Sequence, residues 1–101
     1  HFDAFDVTTP PGFECAMTGG QRVATVLVYL NDCAEGGGTF FPKLDFRQMP
    51  KKGTGFIFCT RGPSFVEPLP HMMLHTGEHA VEPKWLAQVW IRQTDFLRRV
   101  V

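Results

Sequence analysis

RVATVLVYL, Arg22 to Leu30, is the most regular stretch of this chain. Val and Thr are stiff at χ1 and, like Tyr, fit a pleated surface better than a helix. The run is apolar at odd and even positions alike, which predicts a buried central strand covered on both faces. Thr25, Leu27 and Tyr29 share one of those faces by the two-residue alternation of a strand. Outward from this strand, Gly and Pro divide the chain into short pieces. Asn31-Asp32 and Gly36-Gly37-Gly38 read as a turn, Thr39-Phe40-Phe41 as a short strand stopped by Pro42, and Pro50 to Gly53 as another turn. Further strands are expected over Gly55–Thr60, His71–Thr76 and Lys84–Gln93. Arg61–Pro70 reads as loop, and Phe96–Val101 either extends the last strand or turns helical. On the other side, residues 4–21 are rich in Thr, Pro and Gly and read as one long loop. No amphipathic helix stands out. Short strands separated by Gly/Pro turns predict an all-β sandwich or barrel.

With 101 residues, of which 44% are apolar and ten are Phe, the chain suffices for one domain with one modest core. It shows no internal repeat and no second domain. Ten Lys/Arg balance ten Asp/Glu with no basic run, so no electrostatic footprint for nucleic acid is present. No apolar stretch approaches the roughly 20 residues a membrane helix needs. Cys15, Cys33 and Cys59 are odd in number and form no Cys-x-x-Cys, which argues against a zinc ribbon and for reduced, partly buried thiols.

The chemistry-bearing residues lie at the two ends of this strand pattern. His1 and Asp3 stand two apart, so on an extended segment both point to the same side. One imidazole nitrogen and one carboxylate oxygen could serve the same metal ion. A second histidine returned by the fold would complete two His and one carboxylate, the facial set of non-haem Fe(II) oxygenases. His71 and His75 are candidates for it. His71, His75 and His79, spaced by four, would also share one helical face as in zinc sites. Gly77, Pro83 and the lack of a capping signal weigh against a helix there.

The segments GGQRVATVLVYLND, EGGGTFFPKL, PKKGTGFIF, LHTGEHAVEPKW and VWIRQ, in this order, resemble the catalytic domain of the prolyl 4-hydroxylases. That resemblance runs from residue 1 to about residue 93. It implies a double-stranded β-helix (jelly roll) and dependence on Fe(II), 2-oxoglutarate and O2, with ascorbate as reductant. The implied reaction hydroxylates C4 of a peptidyl proline while 2-oxoglutarate is decarboxylated to succinate. The family's metal motif maps onto His1, Asp3 and His75. Its basic residue for the far carboxylate of 2-oxoglutarate maps onto Lys84, nine positions after His75. That interval is one shorter than the usual collagen-type spacing, and His79-Ala80 and Pro83 stand in it, which implies a remodelled hairpin. Tyr29 and Thr25 on the central strand, and Trp90 on the last, are implied to line the cofactor pocket. Arg22 is expected to be a structural partner for a loop carboxylate.

The resemblance makes residues 1–101 the C-terminal part of the catalytic domain, lacking its leading strands and helices. It implies a proline-containing protein or peptide as partner, approached under a loop formed by residues 4–20. It leaves the compartment open, endoplasmic reticulum for a collagen-type or plant-type enzyme and cytoplasm otherwise. A non-catalytic binding fragment of such a domain, and a dioxygenase acting on another substrate, are the competing readings.

Overall fold

The computed structural model describes residues 1–60 and 71–94. Among these residues, six strands form two antiparallel three-stranded sheets. β1 (Arg22–Tyr29) lies between β4 (Gly55–Cys59) and β6 (Leu86–Arg92), while β2 (Thr39–Phe41) lies between β3 (Phe46–Gln48) and β5 (Thr76–Gly77). The connections from β1 to β6 and from β2 to β5 join strands distant in sequence, as a jelly roll requires. The all-β expectation therefore holds, with β1 central as its composition predicts.

The core sits where the sheets face each other. Burial alternates strictly along β1, with Val23, Thr25, Leu27 and Tyr29 pointing inward. Opposite them Phe41 of β2 meets Phe56 and Phe58 of β4 at ring-centroid distances of 6.2 and 5.2 Å. The other face of β1 is only half-covered. It shares that face with Ile57, Val89 and Ile91, all exposed, so cover on both faces is not what these residues show.

Several local expectations are corrected. Residues 4–21 are not one loop, because Pro10–Gly19 forms helix α1. Thr9 caps it, accepting a hydrogen bond from the Gly12 N–H, and a proline occupies the first turn, where its missing N–H costs nothing. The same Pro and Gly that read as loop signals are thus start and stop signals. Gly12 also lets α1 approach the preceding loop, since a Cβ there would fall 1.9 Å from the Asp6 carbonyl oxygen. His71–Met73 forms a single 3₁₀ turn, and only Thr76–Gly77 after it is strand. β6 begins at Leu86 rather than Lys84. β3 lies in a stretch with no sequence signal and forms by pairing with β2. The expected loop over 61–70 and the tail over 96–101 lie outside the described residues. Cys15, Cys33 and Cys59 are all free, but only Cys33 is buried. Among the described residues, no helix is long and apolar enough to cross a membrane.

Phe41 is 2% exposed and is the ring on which the two sheets meet. Phe41→Ala is expected to destabilise the chain by about 3–5 kcal/mol, the cost of a buried aromatic cavity, as measured by urea unfolding. A loss under about 1 kcal/mol would show that the sheets do not depend on it.

Candidate metal centre

Residue 1 reaches the second sheet through its backbone. His1 N donates to the His75 carbonyl at 2.8 Å, and His75 N donates to the His1 carbonyl at 3.1 Å. Because His75 immediately precedes β5, this reciprocal pair adds one rung to that sheet's edge. The alternation of an extended segment then turns His1 and Asp3 to the same side. His1, Asp3 and His75 each offer a ligand atom, all within 4.8 Å of one another.

Asp3 is the centre of the cluster. Its Oδ1 lies 3.3 Å from His1 Nε2 and 3.4 Å from His75 Nε2. Its Oδ2 accepts a 2.6 Å hydrogen bond from the Thr25 hydroxyl, and Thr25 is fully buried on β1. The two oxygens therefore have separate tasks, one facing both imidazoles and the other tied to the core. Burial works to raise the Asp3 carboxyl, but hydrogen bonds from His75 and Thr25, the His75 charge and a hydrogen bond from Trp90 outweigh it. The net result lies below the ordinary value of 3.8. Asp3 is thus an ionised, buried carboxylate, the form a metal ion needs.

His75 is 5% exposed and fixed on two sides. Its ring lies 5.2 Å from that of Phe41 and 4.8 Å from that of Phe58. Its Nδ1 is 2.9 Å from the Met73 carbonyl, an acceptor only. Nδ1 must therefore carry a proton, so Nε2, which faces Asp3, is the nitrogen a metal would take in place of its hydrogen bond to the carboxylate. The His1 side chain, in contrast, is 64% exposed, so the cluster opens to solvent on that side. Two imidazole nitrogens and one carboxylate oxygen on one side, with the other side open, fit a divalent iron ion.

A second polar group lies further along the inward face of β1, beyond Leu27. Tyr29 is fully buried and its hydroxyl sits 2.6 Å from the Thr39 hydroxyl and 3.2 Å from the Gln48 carbonyl. Burial pushes its phenol above the ordinary 10.0 despite the bonds to Thr39, so it stays a neutral donor. The Lys84 ammonium lies over the Tyr29 ring, 5.9 Å from its centroid. The glycine run places this lysine: Gly36 and Gly37 have φ of 66° and 73°, and a Cβ on Gly37 would come within 3.2 Å of Lys84 Cδ. The Gly37 N–H donates to the His79 carbonyl at 2.9 Å, which ties this loop to the segment between β5 and β6; that segment crosses from one sheet to the other and is not the hairpin expected from the sequence.

The structure thus brings together His1, Asp3 and His75 in one cluster, and Tyr29 and Lys84 in another. Thr25 belongs to the first rather than the second, its hydroxyl being given to Asp3. Trp90 also stands by the first, stacked 4.0 Å from the guanidinium of Arg22, which itself reaches the Asp3 carbonyl. The sequence reading overlooked Thr39. Its signal was available, since strand alternation puts Thr39 on the face of Phe41, a hydroxyl where an apolar residue is expected.

The family model of the 2OG-Fe(II) oxygenase superfamily matches residues 1–92. A protein of Acanthamoeba polyphaga mimivirus named as a prolyl 4-hydroxylase is 37% identical over 97 residues, covering 95% of this chain and 40% of that protein. The prolyl 4-hydroxylase subunit alpha-1 of Gallus gallus is 32% identical over 98 residues, covering 92% of this chain and 18% of that one. Among solved structures, the viral collagen prolyl hydroxylase of Paramecium bursaria Chlorella virus-1, in complex with 2OG, superposes with a TM-score of 0.72 at 33% identity. That match covers 94% of this chain and 51% of the viral one. The chain therefore spans about half of the solved neighbour and less than half of either relative.

A lowered carboxyl contributes stability above its unfolded value, near 3.8, that is lost as pH falls through the lower folded value. Thr25→Val removes one of the bonds that lower it. Acid unfolding of metal-free Thr25→Val, followed by Trp fluorescence, is expected to begin at higher pH than in the parent. It is also expected to cost about 1–3 kcal/mol at neutral pH. Coincident acid transitions would mean that the hydroxyl does not hold the carboxylate.

Proposed function

The chain belongs to the 2OG-Fe(II) oxygenase superfamily, and from that premise we propose that it hydroxylates peptidyl proline at C4. The co-substrates are 2-oxoglutarate and O2, the products succinate and CO2, and ascorbate keeps the metal reduced. The observation that carries this reading is the convergence of His1, Asp3 and His75, with one side of the cluster open. Relatives named as prolyl 4-hydroxylases support proline as the target, and a protein or peptide as the partner. Residues 1–101 are read as the C-terminal part of the catalytic domain.

His1 Nε2, Asp3 Oδ1 and His75 Nε2 would hold Fe(II). When bound, the iron and 2-oxoglutarate supply O2 activation coupled to decarboxylation. The protein's own residues hold and orient. Thr25 keeps the Asp3 carboxylate aimed, and with His75 keeps it ionised. Met73 fixes the His75 tautomer, and Phe41 and Phe58 fix its ring plane. Lys84, with Tyr29 and Thr39, would take the far carboxylate of 2-oxoglutarate: one cation and two buried hydroxyls against one anion.

Two observations favour a second reading, a binding fragment without turnover. Ile57, Val89 and Ile91 stand exposed on the outer face of the first sheet, and the chain spans about half of its solved neighbour.

Incubated with Fe(II), 2-oxoglutarate, ascorbate and a proline-rich peptide, the chain is expected to produce succinate and peptide carrying one added oxygen, read by mass spectrometry. His75→Ala is expected to abolish both products and His71→Ala to retain them. Lys84→Ala is expected to raise the 2-oxoglutarate requirement more than the iron requirement. Iron binding with no succinate would favour the binding fragment. Succinate without peptide oxygen would point to another substrate. No iron binding, here or in a chain extended N-terminally, would sink the oxygenase reading.

A further inference from the structure

Asp3 lies on a short arm tied down at both ends. At one end His1 pairs with His75. At the other, the hold comes from side chains of two consecutive residues where the chain enters β1. Gln21 is 4% exposed, and its amide makes both possible bonds to the backbone of Phe5. The Phe5 N–H donates to Gln21 Oε1 at 2.6 Å, and Gln21 Nε2 donates to the Phe5 carbonyl at 2.9 Å. This is the two-bond exchange of an antiparallel strand pair, supplied by a side-chain amide. Oε1 also accepts from the Arg22 N–H at 3.0 Å, and Gln21 N donates to Gln93 Oε1 at 3.1 Å, so the amide is itself anchored.

Arg22 completes the hold. Its guanidinium carbon lies 4.5 Å from the Phe5 ring centroid and 4.0 Å from that of Trp90, joining the arm to β6. Its Nη1 donates to the Asp3 carbonyl at 3.4 Å, a long contact beside the stacking. Residues 3 and 5 are thus fixed from β1 and its approach while the Asp3 carboxylate faces the two imidazoles.

We propose that Gln21 and Arg22 are positioning residues for the metal centre, a side-chain clamp that sets where the Asp3 carboxylate stands relative to His75. This rests on the reading of His1, Asp3 and His75 as metal ligands. A ligand on an arm tied at one end only can swing, and displacement on the scale of 1 Å loosens a bound ion even when the fold survives.

The test uses Co(II), which reports its coordination by visible absorption, titrated into the 101-residue chain. Gln21→Met keeps the length of the side chain and removes both bonds to Phe5. Arg22→Lys keeps the charge and removes the flat stacking surface, and Arg22→Met removes both. Gln21→Met and Arg22→Lys are each expected to weaken Co(II) binding about 10- to 100-fold and to alter the absorption band. Arg22→Lys is expected to resemble Arg22→Met rather than the parent. Should Gln21→Met fail to fold, Gln21→Glu removes only the donor to the Phe5 carbonyl and is expected to weaken binding in the same direction. A lowered thermal midpoint with unchanged Co(II) affinity and spectrum would overturn the clamp and leave a packing role. Rescue by Arg22→Lys would overturn the stacking part. The parent and His75→Ala separate the two levels of the argument. If only the parent binds Co(II), the metal reading stands and the clamp is judged on its own. If both bind alike or neither binds, the metal reading fails and the clamp falls with it.

Discussion

One buried anion organises this molecule. Asp3 carries an ionised carboxylate into the space between two sheets, which is unfavourable unless every oxygen is engaged. Thr25 takes Oδ2 from the core side, and His1 and His75 flank Oδ1. Each partner comes from a different part of the chain. Satisfying one carboxylate therefore requires β1, the approach to β5 and the N-terminal arm to be in register at once. On the proposed reading, the same requirement presents these ligand atoms to a divalent cation, the strongest available partner for that arrangement.

β1 links the two polar groups of the molecule. Its inward face carries Thr25 against Asp3, then Leu27, then Tyr29 against Thr39 beneath the Lys84 ammonium. A strand holds such a row at fixed intervals of about 3.4 Å per residue, so a shift in its register would move both groups together. The pairing of Thr25 with Phe58 on one side and Trp90 on the other sets that register. The aromatic residues around His75 are consequently part of the site as much as part of the core.

Glycine serves this arrangement differently in two places. Gly36 and Gly37 adopt positive φ and leave room for the His79 carbonyl and the Lys84 stem. Gly12 lies within α1, where the absence of a Cβ lets the helix meet the Asp6 carbonyl. Reading both as turn signals located the first correctly and hid the second. Pro and Gly near a helix start mean the opposite of what they mean in a loop, and only the Thr9 cap distinguishes the cases.

The sequence by itself determined the all-β class, the central strand and the family. Alternation and β-branching are local properties, and the order of the motifs survives without coordinates. It also determined which residue types could bind a metal. The resemblance further singled out His1, Asp3 and His75, which the fold brings within 4.8 Å of one another, and tertiary structure alone decided what holds them there. The placement of Thr25 on Asp3, of Thr39 on Tyr29 and of the Gln21 amide on Phe5 depends on contacts 10 to 22 residues apart along the chain. The strand at 46–48 likewise exists through its pairing with β2, across five to nine residues. Local pattern shows which face a side chain occupies, but its partner across the sheet is set by register and sheet packing, and these belong to the whole fold.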